Sequence, residues 1–154
     1  MDTFVSMADK IARFSKEFDL VQSILNNEEL FKYFETAIKK GRILIKTDDA
    51  GEVIGYVESW RINYEQLGRI VCGLPFHIAD EDIETGPICY LTNTAIRPDY
   101  RMTGLHKVLR VEFMTQNFMC KHFVGHARRK KHEPLKVFDR QSFYDKYNGG
   151  KDGK

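Results

Sequence analysis

Residues 96–106 (IRPDYRMTGLH) combine the groups that a phosphate-binding turn needs. Arg101 can supply a full positive charge, Thr103 a hydroxyl or a helix cap, and Gly104 lets the main chain approach an anion without an intervening Cβ. If a helix follows, its first N–H groups and its dipole add partial positive charge. The local chemistry favours a diphosphate ligand. An ordinary strand, turn and helix with a solvated arginine is the alternative.

Two elements must position this turn: a strand that ends before it and a helix that begins after it. Residues 88–96 (ICYLTNTAI) form the strongest strand pattern in the chain, and Pro98 ends it because proline cannot donate a ladder hydrogen bond. A helix is predicted over about residues 104–119. Its apolar face consists of Leu105, Val108, Leu109, Phe113 and Phe118.

Upstream of this region, the sequence predicts helices followed by a hairpin. Apolar residues recur at three- and four-residue steps over residues 4–40, which predicts two or three helices, with a break at Asn26 and Asn27 and with Gly41 as the C-cap. Residues 42–46 and 53–60 are rich in strand formers and flank a turn, so they predict a hairpin. Residues 61–86 are predicted to be a long irregular segment of the kind that carries function.

The C-terminal region predicts one more strand and one more helix. The strand covers residues 122–126 (HFVGH), and Pro134 marks a point where a final amphipathic helix could start. The apolar residues of that helix would be Leu135, Phe138, Phe143 and Tyr147. Residues 148–154 are expected to be a flexible tail. These elements predict a single α/β domain over residues 1–154, with a helical N-terminal segment at 1–40.

Composition places the chain among ordinary globular proteins. It has 154 residues, 42% of them hydrophobic and 30% charged, with a net charge of +2 that excludes no class of partner. Cys72, Cys89 and Cys120 are odd in number and widely spaced, which predicts reduced thiols and neither a disulfide framework nor a metal site. With no long apolar run and no signal-peptide pattern, the expectation is a cytoplasmic protein that does not span a membrane.

The turn resembles motif A of the GNAT (N-acetyltransferase) superfamily, where a hydrophobic strand ends in V/I-x-P-x-Y/F-R/Q-x-x-G-x-G/A. The residues in register are Ile96, Pro98, Tyr100, Arg101 and Gly104. His106 stands where the family usually has glycine or alanine. The resemblance implies a GNAT-like α/β (α+β) fold, with a mixed central sheet flanked by helices. Its C-terminal hairpin would be truncated, since only seven residues follow Tyr147.

The same resemblance implies how acetyl-CoA, or another acyl-CoA, would bind as co-substrate without a metal. The pantetheine arm would be held by the backbone of Thr94, Ala95 and Ile96. The pyrophosphate would be wrapped by the N–H groups of Arg101, Met102, Thr103, Gly104, Leu105 and His106. In this interpretation, the strand acts as a sheet edge for the arm and the turn acts as an anion site.

Residues 142–149 (SFYDKYNG) resemble the ending of the family's last helix, x-F/L-Y-E-K-x-G-F. The resemblance implies that Tyr144 protonates the departing CoA thiolate, a step that a phenol can perform as charge develops on sulfur. A core or surface tyrosine in an aromatic-rich helix is the alternative.

The attacking amine must lose a proton, so the reaction needs a base. Many relatives place a glutamate on the strand before the turn, but here that strand offers Thr92, Asn93 and Thr94. Glu58, on the preceding strand, is the nearest candidate. Less direct substitutes lie in the long segment that follows: Asp80, Glu81, Asp82 and Glu84.

The resulting hypothesis is an N-acyltransferase that moves an acyl group from acyl-CoA to an unknown amine acceptor, which is a small molecule, a protein lysine or a modified nucleobase. The alternative is a non-catalytic GNAT-fold binding or structural protein. Residues 128–131 (RRKK) could then associate with nucleic acid through phosphate contacts, although a solvated loop explains them equally well. The shortened sheet edge is compatible with a trimmed monomer, with a derived fold that has lost catalysis, or with a homodimer in which the subunits cover each other's edge. Pairing is favoured because an exposed sheet edge promotes association.

Overall fold

A computed structural model describes residues 3–18, 26–125 and 136–139 of the chain, with side chains described at 7–18, 26–125 and 139. The described helices are α1 (Thr3–Phe18), α2 (Asn27–Lys39), α3 (Tyr64–Val71), α4 (Ile78–Glu81) and α5 (Leu105–Gln116). The strands are β1 (Ile43–Thr47), β2 (Val53–Ile62), β3 (Ile88–Ile96), β4 (His122–Gly125) and β5 (Lys136–Asp139). A short 3₁₀ turn, Pro98–Tyr100, follows β3.

The five strands form one mixed sheet in the order β1-β2-β3-β4-β5. Strand β1 pairs with β2 antiparallel, β3 with β4 parallel, and β4 with β5 antiparallel. The chain divides into two compact units. Unit 1 contains Met1–Glu58 and Asn93–Leu109, and unit 2 contains Ser59–Thr92 and Arg110–Lys154.

In unit 1, helix α2 has well-formed ends that its sequence explains. Asn26 caps it: the Asn26 side chain accepts from the N–H of Glu29 at 2.8 Å, and the Glu29 side chain accepts from the N–H of Asn26 at 3.1 Å. At the other end Gly41 adopts φ +70°, and the N–H of Arg42 donates to the carbonyl of Ala37 at 2.8 Å. The predicted break near Asn26 and the predicted glycine cap are therefore confirmed.

An aromatic cluster packs α1 and α2 against β2 in unit 1. The Tyr56 ring of β2 lies edge-on to Phe14 at 5.9 Å and to Phe34 at 5.7 Å between centroids. All three side chains are buried. Such contacts add to area burial and fix ring orientation. They therefore hold the stretch of β2 that leads directly to Glu58.

In unit 2, the prediction of an irregular segment over residues 61–86 was wrong, because α3 and α4 lie within it. Asn63 and Gln66 form a reciprocal capping box at the start of α3. Arg69 of α3 then donates two hydrogen bonds to the Glu81 carboxylate of α4, at 3.1 and 3.0 Å. The Arg69 guanidinium lowers the pKa of Glu81, and the carboxylate raises the pKa of Arg69. This charge-assisted pair joins the two helices.

The prediction of a final helix starting near Pro134 was also wrong at residues 136–139, the part of that segment that the structure describes. Residues Lys136–Asp139 form β5 and pair with β4, with Phe138 opposite Phe123 and Val137 opposite Val124. The pairing of this backbone with β4 outweighs the local helix-start signal of Pro134. The remainder of that helix prediction lies outside the described residues, as does the predicted tail at 148–154.

The three cysteines are free thiols, as predicted, with Cys89 and Cys120 buried and Cys72 exposed. Burial raises the pKa of the Cys89 thiol well above its ordinary value, so this side chain behaves as a small apolar group. None of the helices among the described residues has the length and apolar character needed to cross a membrane.

Replacing Gly86 with alanine will destabilise the protein by about 2–4 kcal/mol. A Cβ at this position would lie 2.5 Å from the backbone oxygen of Ile62 and 2.8 Å from its carbonyl carbon. Backbone atoms of a paired strand cannot move aside cheaply, so the strain persists. Gly68→Ala is the matched control, because a Cβ there meets no atom within 4 Å in helix α3. Chemical unfolding checks both, and equal stabilities would contradict the steric argument.

Candidate active site

The predicted turn after β3 is present, and hydrogen bonds fix its course. The N–H of Arg97 donates to the carbonyl of Ile54 on β2 at 2.8 Å, which is a backbone contact just past the end of β3. The chain then reverses through the 3₁₀ turn, where the N–H of Tyr100 donates to the Arg97 carbonyl at 2.9 Å. Pro98 at the first position of this turn ends the strand as predicted.

Two residues of the turn have left-handed backbone conformations: Met102 with φ +74° and Gly104 with φ +90°. Among the described residues, Met102 is the only non-glycine residue with positive φ. Its side chain is fully exposed, so burial of the thioether does not explain the conformation. Strained backbone of this kind is concentrated at ligand-binding and catalytic sites. Packing of the Met102 side chain therefore does not explain its left-handed backbone conformation.

The N–H groups of the turn are available to a ligand. Helix α5 begins at Leu105, and the N–H of Val108 donates to the Gly104 carbonyl at 3.1 Å as the first bond of the helix. Within the described part of the chain, the N–H groups of residues 102–105 donate to no protein acceptor. Together with the dipole of a 12-residue helix, they provide the partial positive charge that an anion site requires.

Arg101 has a structural contact in addition to its charge. Its Nε donates to the carbonyl of Ile96 at 3.0 Å, which ties the turn to the last residue of β3. Thr103 likewise donates its hydroxyl to the carbonyl of Tyr100 at 2.6 Å. Arg101 therefore both braces the turn and leaves a guanidinium charge beside it.

A neighbouring ion pair moderates the negative charge near the turn. Arg97 Nε donates to Asp99 Oδ1 at 2.7 Å, and its guanidinium carbon lies 5.2 Å from the centre of the Tyr100 ring. The hydrogen bond from Arg97 lowers the pKa of Asp99, and the carboxylate raises the pKa of Arg97. Asp99 therefore stays ionised with its charge partly compensated. It lies two residues before Arg101, the first of the residues predicted to contact a phosphate.

Glu58 lies on β2 with no exposed surface, and both of its carboxylate oxygens accept hydrogen bonds. Asn93 on β3 donates its Nδ2 to Oε1 at 2.8 Å, and the Tyr33 hydroxyl from α2 donates to Oε2. Charged side chains are rarely buried unless they are paired or hydrogen-bonded. The structure thus joins the sequence-predicted base to Asn93, one of the three polar residues that β3 offers in place of a carboxylate, and to Tyr33, which the sequence analysis missed.

Two of the four substitute carboxylates proposed for residues 80–84, Glu81 and Asp82, have structural contacts in unit 2. Glu81 binds Arg69, and it also accepts from Gln66 Nε2 at 3.0 Å. The Asp82 carboxylate accepts from the backbone N–H of Arg61 at 2.9 Å. These contacts join helices and loops to each other, which is an ordinary structural role, and Glu58 remains the candidate base.

A shallow groove of about 500 Å³ lies at the tip of the β1–β2 hairpin in unit 1. Its lining consists of Thr47, Asp48, Asp49, Ala50, Ile54 and Tyr100. The Asp48 carboxylate is used locally, since Oδ1 accepts from the N–H groups of Ala50 and Glu52 at 2.9 and 3.0 Å. Two carboxylates disfavour a phosphate, so this groove is not the predicted anion site.

Two sets of sequence-predicted residues are not placed by the structure. Tyr144, the predicted general acid, lies outside the described residues, and so does the basic segment 128–131. Among the residues that the structure describes, no group of three or more His, Cys, Asp or Glu side chains could hold a metal ion.

The fold is similar to that of several solved GNAT structures. The GphF GNAT-like decarboxylase in complex with isobutyryl-CoA has a TM-score of 0.61 and 16% identity over 83% of this chain. The GNAT family N-acetyltransferase YhbS from Escherichia coli in complex with CoA has a TM-score of 0.57 and 18% identity over 92% of this chain and 79% of its own. The aminoglycoside 6'-N-acetyltransferase AAC(6')-IG from Acinetobacter haemolyticus has a TM-score of 0.52 and 16% identity over 85% of this chain and 79% of its own.

No family model and no curated protein matches the sequence. The chain spans 65% of the length of the GphF chain. At these identities the similarity establishes the architecture: this chain has the GNAT fold, with its mixed sheet and flanking helices. The fold expected from the motif around residues 96–104 is thereby confirmed.

Proposed function

We propose that the chain is an acyl-CoA-dependent N-acyltransferase of the GNAT superfamily. The observation that carries the proposal is the turn after β3, where four consecutive N–H groups at 102–105 have no protein acceptor in the described part of the chain. The fold adds support, because the GphF and YhbS structures of similar fold contain isobutyryl-CoA and CoA. A CoA pyrophosphate provides the negatively charged oxygens that such a turn binds.

The residues proposed for the pyrophosphate are 101–106. The N–H groups of Met102, Thr103, Gly104 and Leu105 would donate to its oxygens, with Arg101 adding charge. His106 is exposed and lies in the first turn of α5, where it would add a larger side chain than the family's usual glycine or alanine. The imidazole would then limit how closely the helix start approaches the phosphates, and protonation would strengthen anion binding.

The pantetheine arm would run back from the turn along β3, over Thr94, Ala95 and Ile96. The β3–β4 register pairs residues 88–91 with residues 122–125, so among the described residues Thr94 to Ile96 lie beyond the last residue of β3 that pairs with β4. The carbonyl of Ile96 already accepts from Arg101, so the main-chain groups of Thr94 and Ala95 are the better candidates for the arm. The thioester end would then lie toward Asn93 and Glu58, about 10 Å from Ile96 along the strand.

In the proposed reaction an acceptor amine attacks the thioester carbonyl. A C–N bond forms, the C–S bond breaks, the amine proton passes to the carboxylate of Glu58, and the CoA thiolate takes a proton from Tyr144. Glu58 is supported by its burial on β2 and by its hydrogen bond from Asn93. Tyr144 rests on the sequence resemblance alone. The acceptor remains a small molecule, a protein lysine or a modified nucleobase.

Isothermal titration of the protein with acetyl-CoA and with isobutyryl-CoA tests the proposal without knowledge of the acceptor. We expect a dissociation constant on the order of 1–100 µM for at least one thioester. Incubation with a panel of primary amines, followed by detection of free CoA thiol, then tests transfer. Binding without turnover by any amine would favour a non-catalytic GNAT-fold protein, and no binding of either thioester would refute the assignment. Sedimentation of the same sample tests the predicted homodimer.

A further inference from the structure

The buried carboxylate of Glu58 poses a problem of access that a direct base mechanism leaves unsolved. Its side chain has no exposed surface, and Asn93 and Tyr33 each donate to one of its oxygens. An amine that binds from solvent therefore meets one of these two residues, or another neighbour of the carboxylate, before it meets the carboxylate itself. A proton moving between the amine and Glu58 must pass through a group that can both accept and donate.

The two hydrogen-bond donors differ in this respect. The Nδ2 group of Asn93 donates to Oε1 and has no lone pair with which to accept a proton. The Tyr33 hydroxyl donates to Oε2 and can accept at the same oxygen while it donates. Tyr33 is also partly exposed, whereas Glu58 is fully buried. Of the two, only the phenol can connect the carboxylate to a bound amine.

Helix α2 holds the phenol in place. The Tyr33 ring packs edge-on against Phe34 at 5.4 Å between centroids, and Phe34 is fully buried in the unit 1 core. The capping box at Asn26 and Glu29 fixes the start of the same helix one to two turns earlier. A hydroxyl on a well-anchored helix can be positioned closely enough for proton transfer.

We propose that Tyr33 relays the proton from the acceptor amine to Glu58 during acyl transfer. As the C–N bond forms, the nitrogen gives its proton to the Tyr33 oxygen, and Tyr33 gives its own proton to Glu58 Oε2. The phenol ends neutral, the carboxylate ends protonated, and the departing thiolate carries the negative charge until it is protonated. Asn93 keeps Oε1 engaged, so that Oε2 receives the proton. This inference rests on the proposed acyltransferase function.

Tyr33→Phe tests the relay because it removes the hydroxyl and keeps the ring that packs on Phe34. The assay measures release of CoA thiol from acetyl-CoA with the best acceptor of the amine panel. We expect kcat to fall about 100-fold while the KM for acetyl-CoA changes by less than about 2-fold. Tyr56→Phe is the matched control, since it removes a core hydroxyl that lies near Ser15 at 3.5 Å and should leave both constants near wild type.

The solvent isotope effect distinguishes a relay from a structural role. Two protons move in the proposed step, so the wild-type rate should vary non-linearly with the deuterium fraction of the solvent. In Tyr33→Phe the same dependence should become linear. If Tyr33→Phe does not fold, site-specific 3-fluorotyrosine at position 33 keeps the ring and hydroxyl and should change kcat without changing KM. An unchanged kcat and isotope effect in these variants would overturn the relay while acyl transfer stands. Failure of the wild-type protein to bind acetyl-CoA or to turn over any amine would overturn both.

Discussion

Replacing Gly104 with alanine will weaken acetyl-CoA binding by about 10-fold or more, whereas the same replacement at Gly41 will leave it unchanged. Gly104 has φ +90°, a conformation that places the N–H groups of the turn where they are, and an alanine disfavours it by about 1–2 kcal/mol. A Cβ at Gly104 meets no atom of the described residues within 4 Å, which leaves space beside it for a phosphate. Alanine would both strain the turn and occupy that space.

Gly41 is a close control for this change. It also has positive φ, at +70°, and a Cβ there also meets no atom of the described part of the chain within 4 Å. Both variants should lose about 1–2 kcal/mol of stability, which thermal unfolding will measure. Only Gly104→Ala should lose affinity in titrations with acetyl-CoA. Equal affinities in the two variants would show that the turn does not hold the cofactor's phosphates.

The turn could be predicted from the sequence because its chemistry is local. All of its groups fall within residues 96–106, and the groups that contact an anion are main-chain N–H groups whose direction depends on a proline, a glycine and a helix start. The left-handed conformation of Met102 could not be predicted, because nothing in a methionine side chain favours positive φ. It follows from closing the turn between the end of β3 and the start of α5.

The surroundings of Glu58 were only partly predictable because they depend on packing between distant segments. Glu58 is 25 residues from Tyr33 and 35 residues from Asn93 along the chain. The alternation of side chains along a strand indicates which face of the sheet a residue lies on, but not which residues pack against it. Tyr33 lies on an amphipathic helix whose aromatic residues predict core packing. A partly buried tyrosine beside a core phenylalanine carries no sequence signal for a bond to a carboxylate.

The errors in residues 61–86 and 136–139 have different causes. The capping box of α3 was present in the sequence as Asn63 and Gln66, and glycines and a proline nearby concealed it. For β5 the local signal of Pro134 favoured a helix, while the strand depends on pairing with β4, which only the folded chain provides. The capping box of α3 could therefore have been predicted from the sequence, whereas the pairing of β5 with β4 could not.

Replacing Glu58 with glutamine will reduce kcat for acyl transfer by about 100-fold or more and leave acetyl-CoA affinity near wild type. Glutamine keeps the size of the side chain but cannot accept the amine's proton at neutral pH. Its amide oxygen can still accept from Asn93 or Tyr33, so the loss of stability should be about 1–3 kcal/mol. Release of CoA thiol with an active amine measures the rate, and chemical unfolding measures the stability.

Glu28→Gln provides the matched control, because Glu28 lies on the same helix as Tyr33 with 80% of its side chain exposed and only a 3.5 Å contact to Lys32. Its rate should equal that of the wild-type protein. If Glu58→Gln keeps full activity, the carboxylate serves the fold alone, and the base must lie elsewhere. If it loses activity together with acetyl-CoA binding, the substitution has disturbed the unit 1 site as a whole. Loss of kcat with binding intact is the result that a buried proton acceptor requires, since such a group acts only once the amine begins to attack.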